Sequence, residues 1–321
     1  MRTVRRLHWL LLGAALLGRG ALADDSRQAL ADAWWTGPLL APSAATLPKG
    51  HALIEPYLFD IMSTGHFDQD GKRHSTPTDH EFGSLTYMLY GLTDRVTAGL
   101  IPRFFYQVPA EGPASSAPGA GDLQLQAQFG LTRFQEGRPV PALSLVINET
   151  LPTGRYDRLS RASDGLGAGA YTTALSLYSQ HYFWLPNGRI LRARLDLTYA
   201  LSSSVNLQDQ SVYGTPYGFR GSAQPGDGWT VDAAAEYSLT RNWVLALDVV
   251  YQSNANTPVR GTVAGEDFQA DSGSSYSVGF APAVEYNWSA RAGVIFGVRV
   301  INIGRNTTAS VTPAIAVNLV F

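Results

Sequence analysis

The sequence predicts an all-β fold, a single transmembrane antiparallel β-barrel of about twelve strands. Three observations carry this. Apolar and polar residues alternate with period two in repeated segments of about 11–15 residues. The connections between these segments alternate between short and long. The aromatic residues gather near the two ends of the segments rather than in their middles.

The N-terminus comes first. Arg2, Arg5 and Arg6 precede an apolar run from Leu10 to Leu17, and Ala21-Leu22-Ala23 offers a small-x-small cleavage site. Residues 1–23 therefore read as a secretory signal peptide, too short and too interrupted by Arg19 to span a bilayer. Removing its four arginines leaves 20 basic against 26 acidic residues, a net charge of −6, which argues against a nucleic-acid partner. The absence of cysteine excludes disulfides, thiolate metal sites and a lipoprotein anchor. No later stretch reaches the length of a transmembrane helix.

Residues 24–50 contain Trp34-Trp35-Thr36-Gly37-Pro38-Leu39-Leu40-Ala41-Pro42, apolar and rich in breakers. This segment is either a periplasmic tail or a plug inside the barrel. Two adjacent tryptophans are poorly suited to dangle in water, which favours docking, with Trp34 and Trp35 as the plug residues.

Residues 51–321 form the barrel. Twelve strands are expected at about 51–61, 80–90, 95–107, 121–134, 139–151, 169–184, 189–202, 228–239, 242–253, 273–287, 290–303 and 309–321. In the fourth, Leu123, Leu125, Ala127, Phe129 and Leu131 oppose a face of Asp122, Gln124, Gln126 and Gln128. The seventh, eighth and tenth alternate as cleanly, whereas the first and sixth leave their facing open. A soluble sandwich would alternate in the same way. The connections decide between them: links after even strands are tight, and those after odd strands are long and polar except the last. Short periplasmic turns and long extracellular loops distinguish outer-membrane barrels, and both termini then lie in the periplasm.

Aromatic girdles are expected at two levels, with Tyr90, Phe134, Phe183, Trp184, Tyr237, Trp243, Tyr286, Trp288 and Phe321 near the tight turns. Phe104, Tyr106, Tyr171, Tyr199, Trp229, Tyr251 and Tyr276 form the other level. Pro56, Pro102, Pro282 and Pro313 fall inside strands, where bulges or local breaks are expected at some of them because proline cannot donate to a ladder.

The alternation points an unusual set of charges into the lumen. Glu55, Arg103, Asp122, Arg192, Arg194 and Asp196 come from the first seven strands. Asp232, Glu236, Asp248, Glu285, Arg291 and Arg299 come from the later ones. An arginine facing lipid at the bilayer midplane would cost about 2–4 kcal/mol, so inward facing is expected. These residues either line a water-filled pore or fill the interior as a salt-bridge network. Twelve strands lie between the filled and the open barrel sizes.

No catalytic constellation emerges. His66, His74 and His80 lie near Asp68, Asp70 and Asp79 in the first long loop, where a solvated polar loop explains them as well as a metal would. Ser179 and His181 are in the reverse order from the outer-membrane phospholipase pattern. The glycine-rich run from Gly165 to Ala170 is followed by no helix. No cofactor, metal or catalytic residue is assigned.

The chain ends on a strand whose last residue is Phe321. A terminal strand closing on phenylalanine resembles the assembly signal of outer-membrane barrels. Further, Trp35-Thr-Gly-Pro-Leu-Leu-Ala-Pro-Ser43, Leu47-Pro-Lys-Gly-His51 and Glu55-Pro-Tyr-Leu-Phe59 resemble the start of the outer-membrane family labelled "MetA-pathway of phenol degradation". Tyr90-Gly-Leu-Thr-Asp-Arg-Val96, Gly121-Asp-Leu123 and Leu151-Pro-Thr-Gly154 match that family's strand and turn pattern. The resemblance implies a bacterial outer-membrane channel or transporter for small molecules, aromatic or other hydrophobic compounds among them, rather than an enzyme. It brings no defined site. The expected partners are outer-membrane lipid and lipopolysaccharide, the barrel assembly machinery and a small-molecule solute. A closed structural barrel whose loops bind a surface partner is the alternative, and an outer-membrane enzyme ranks last.

Overall fold

The computed structural model describes residues 27–321, so the expected signal peptide lies outside the described residues. Its strands are β1 (Ala52–Phe67), β2 (Arg73–Thr93), β3 (Val96–Ile101), β4 (Arg103–Val108), β5 (Gly119–Ala120), β6 (Leu123–Thr132) and β7 (Ala142–Leu151). They continue as β8 (Thr172–Trp184), β9 (Ile190–Ser202), β10 (Val205–Gln208), β11 (Phe219–Ala223), β12 (Gly228–Ser238) and β13 (Trp243–Asn254). The last are β14 (Pro258–Val263), β15 (Glu266–Asp271), β16 (Ser275–Ser289), β17 (Ala292–Arg305) and β18 (Thr307–Val320).

Each barrel strand pairs antiparallel with its neighbours, and β1 closes the sheet by pairing with both β2 and β18. Of the fourteen segments in this sheet, β3 and β4 are two halves of one wall strand and β5 and β6 two parts of the next, so the barrel has twelve strands. Closure leaves no unpaired edge, which a sheet surrounded by lipid requires. Leu58, Leu125, Leu195, Leu245, Phe296 and Ile315 face outward and are exposed, forming the apolar belt. Trp243 packs on Tyr286 at the turn end, and Tyr199 packs on Trp229 at the loop end, with ring centroids 4.7 and 4.6 Å apart. The facing left open by the sequence is now defined. Tyr57 and Phe59 of β1 and Tyr178 and Gln180 of β8 point inward, while Leu58, Leu175 and Leu177 point out.

The structure corrects or sharpens several expectations. The first long loop is mostly strand, because β1 and β2 extend as a hairpin with only residues 68–72 between them. The expectation of breaks at some of the in-strand prolines is met at one, since three of the four leave the register intact. Pro56 stays opposite Thr86, Pro282 opposite Leu247 and Pro313 opposite Val298. An antiparallel residue directs its hydrogen-bonding groups to one neighbour, so a proline can pair on the other side without loss. Only Pro102 breaks a strand, separating β3 from β4. Finally, Trp184 and Phe134 are not lipid-facing girdle residues: Trp184 donates its indole N–H to Gln28, and Phe134 packs against Ala44, Ala142, Val146 and Tyr178.

The fourth and fifth extracellular loops do not stay irregular. They supply β10, β11, β14 and β15, a separate four-stranded sheet. Its core is Val205, Leu207, Phe219, Ala223 and Val259, with Phe268 set edge-on to Phe219 at 5.2 Å.

Candidate functional site

The lumen is where the inward charges converge with the N-terminal segment. This segment enters at the turn end, where Gln28 accepts from Trp184 and its amide N–H donates to Gly188 O. Trp34 N–H donates to Arg241 O in the next turn. The chain then runs up to the middle of the wall. Glu285 of β16 accepts the amides of Thr36 and Gly37 at 2.6 and 3.2 Å. Asp248 of β13 accepts those of Leu39 and Ala41, each at 3.0 Å. Arg194 returns a donor to Ala41 O at 2.7 Å. Descending, Ser43 O accepts from Gln128, and Leu47 N–H donates to Thr97 Oγ1 at 2.8 Å. The breakers Gly37, Pro38 and Pro42 keep this backbone out of regular structure. Its amides therefore need side-chain acceptors, and buried carboxylates supply strong ones.

The wall is shaped to receive it. Leu39 sits on a seat of Ala246, Ala281, Ala283, Ile295, Ala314 and Ala316. A Cβ on Gly293 would come within 2.2 Å of Thr36 Oγ1, and one on Gly91 within 2.1 Å of Pro48 O. These two glycines leave room for the segment's close approach. Trp35 lies under the Arg192 guanidinium, 4.5 Å from it, and edge-on to Tyr182. Trp34 is held near the mouth, with Arg241 5.3 Å from its ring.

The twelve expected lumen charges divide by task. Arg192 chelates Glu236, with its Nε 2.6 Å from Oε2, and Arg194 Nε approaches the same oxygen at 3.1 Å. Asp248 and Glu285 hold the segment as described. Asp196 and Asp232 face each other across β9 and β12, and both Asp196 carboxylate oxygens lack a hydrogen-bond partner. Glu55 lines a cavity beside the segment. Arg299 donates to Gln252 at 2.6 Å and faces a different cavity, while Arg103 donates to Gln124 at 2.8 Å. Asp122 is engaged with a loop: its two oxygens accept from Gly154 and Ala168, at opposite ends of the third extracellular loop. The glycine run is what admits it, since a Cβ on Gly167 would lie 2.5 Å from Asp122 Oδ1. Arg291 lies exposed in the turn between β16 and β17, beyond the end of the strand, where the alternation no longer governs it. Phe321 is exposed at the turn end and exchanges backbone hydrogen bonds with Ala52.

Three cavities adjoin the segment. The outer one, about 510 Å³, has an apolar side of Tyr57, Phe59, Leu85 and Ile301 and a polar side that includes Thr230, Gln252 and Arg299. An inner one of about 260 Å³ meets Glu55, Gln126, Gln128, Arg192 and Arg194. A lower one of about 490 Å³ lies at the turn end, near Asp94 and Phe134. Sequence reasoning passed over Gln126, Gln128, Thr97 and Asn287 because it sought charge. The run of alternate glutamines in β6 was the available signal.

Among the described residues, no group of three or more His, Asp or Glu is arranged to hold a metal ion. In the first hairpin His74 bonds Asp68 and stacks on His66, while His80 bonds Asp60 separately.

A family model described as "Putative MetA-pathway of phenol degradation" matches residues 65–312. The chain belongs to this family. Its architecture is that of bacterial outer-membrane barrels. A solved outer membrane channel from Pseudomonas putida F1 is 16% identical, covers 88% of this chain and 100% of its own, and superposes with a TM-score of 0.67. The β domain of the Bordetella autotransporter BrkA, 10% identical, covers 85% of this chain and 100% of its own at 0.46. No curated protein matches the sequence.

Proposed function

We propose that this family member is an outer-membrane channel for the passive movement of small molecules, with aromatic or other hydrophobic compounds as its solutes. Residues 27–50 act as a lumen plug. The observation that carries the reading is the chain of cavities along a segment whose backbone is held by lumen carboxylates. Membership of the phenol-degradation family supports the solute class, and the similarity to a channel of the same fold supports the activity. The outer cavity suits an amphipathic ring, offering apolar contact on one side and hydroxyl, amide and guanidinium groups on the other.

Single-channel recording of refolded protein in planar bilayers tests this. Discrete current steps are expected, with larger steps after deletion of residues 27–46. Absence of steps in both proteins would leave the closed barrel as the better account.

A further inference from the structure

We infer that solutes pass beside the docked plug rather than through a lumen it has vacated, and that two necks along this path admit one aromatic ring at a time. The inference rests on the channel reading and adds its route and its size limit.

The three cavities are in series. The outer and inner cavities share Leu40, Tyr57 and Tyr87 in their walls. The inner and lower cavities share Trp35, Ala45 and Thr46. Each boundary is therefore a small set of side chains, with one large apolar group from the plug in each: Leu40 above and Trp35 below. Around these groups the plug backbone is firmly held, with Asp248 bonding on both sides of Leu40. The Leu40 side chain is apolar and only half-buried. The anchored backbone and the unanchored side chain are what a gate on a fixed frame needs. Rotamer changes in partly exposed side chains take picoseconds to nanoseconds, whereas withdrawing the segment would break its whole set of buried hydrogen bonds.

Volume sets the limit. A cavity of about 150 Å³ is enough to hold benzene. The inner cavity, about 260 Å³, accommodates one substituted ring, and a fused pair would crowd it. Its polar groups, Glu55, Gln126, Gln128 and Arg194, can receive a ring hydroxyl in transit.

The cysteine-free chain makes the test clean. Gln126→Cys places one thiol in the inner cavity. Benzyl and naphthylmethyl methanethiosulfonates are applied to the protein in proteoliposomes, and adducts are counted by mass spectrometry. The single ring should label the introduced thiol, with the double ring at least about tenfold slower because overpacking a defined cavity is costly. Adding Leu40→Ala should bring the two rates close together. Thr36→Cys with Asn287→Cys, replacing two side chains that are hydrogen-bonded to each other, is oxidised to lock the plug, and mass spectrometry verifies the cross-link. Labelling should persist in the locked protein. Equal labelling by both reagents with native Leu40, or loss of labelling on locking with recovery on reduction, overturns the inference. If current steps occur together with equal labelling, the path fails and the channel stands. If size-limited labelling occurs without current even after deletion of the plug, the path stands and the conducting channel fails. Heat-modifiable gel migration identifies variants that have folded.

Discussion

Asp248→Asn should loosen the plug by a predictable amount. In the native protein one carboxylate accepts two backbone amides, from Leu39 and Ala41, with good length at both. Asparagine keeps the shape but has one acceptor oxygen, and its NH₂ group would confront the second amide. One charge-assisted hydrogen bond is therefore lost, and such bonds contribute about 1.5–3 kcal/mol. At about 1.4 kcal/mol per tenfold, local opening of residues 38–42 becomes about 10–150 times more frequent. Amide hydrogen exchange reads this quantity directly, because a slowly exchanging amide reports the free energy of the opening that exposes it. The Leu39 and Ala41 amides should lose protection by that factor, while paired amides of β9 and β12 keep theirs. Unchanged protection at Leu39 and Ala41 would refute the assignment of Asp248 as an anchor. A uniform loss over the whole barrel would show that the substitution acts on the fold and not on the plug.

Three further outcomes follow from the geometry. Gly293→Ala should undock the start of the plug, since the new methyl meets Thr36 Oγ1 and Asn287 Oδ1 at 2.2 and 2.4 Å, and faster exchange at Thr36 and Gly37 would register it. Phe219→Ala should cost the extracellular sheet about 3–5 kcal/mol, so proteases should cut the fourth and fifth loops while heat-modifiable migration is retained. The backbone and hydroxyl of Ser116 donate to Asp164 and hold its carboxyl below the usual carboxylate range. A depressed native pKa gives stability that is full above the unfolded value and lost as pH falls through the native one. Exchange around Ser116 and Asp164 should thus stay constant from neutral pH to about 5, once the intrinsic pH dependence is corrected, and rise only below the ordinary carboxylate range.

The barrel was legible because lipid enforces a strict rule. Every second side chain in a spanning strand meets hydrocarbon, so alternation marks both the strand and its facing. That rule placed Arg192, Arg194, Asp232, Glu236 and Glu285 inward, where the structure has them. It fails where water touches both faces. The tops of β1 and β2 are built from Ser63, Thr64, His66, His74, Ser75 and Thr76, with little apolar contrast, so the hairpin extension looked like loop. The extracellular sheet was missed for a related reason. Its strands are short, and Phe219 and Phe268, which pack together, lie in different loops. Arg291 was misplaced because parity was extended one step beyond the end of a strand.

The N-terminal segment shows a deeper limit of sequence reading, and its contacts bear on the choice between pore lining and filling. A carboxylate that holds backbone amides has no side-chain partner to be found in the sequence, and Asp248 lies 209 and 207 residues from the amides it accepts. Once those partners are known, the lumen charges separate along the barrel axis. Glu236 is neutralised by two arginines, and Asp248 and Glu285 bond the N-terminal segment, so these charges pack wall and segment together and leave open cavities only beside it. The uncharged face of β18 belongs to the same packing, because Ala314 and Ala316 are small enough to seat Leu39. Arg299 and Gln252 face the outer cavity, and Glu55 with Arg194 faces the inner one. Arg192 and Arg194 are bound to Glu236, so reversing their charge tests the packing before it tests selectivity. Arg299, bonded to a neutral amide and facing the outer cavity, is where a change of charge should act on the proposed solute path.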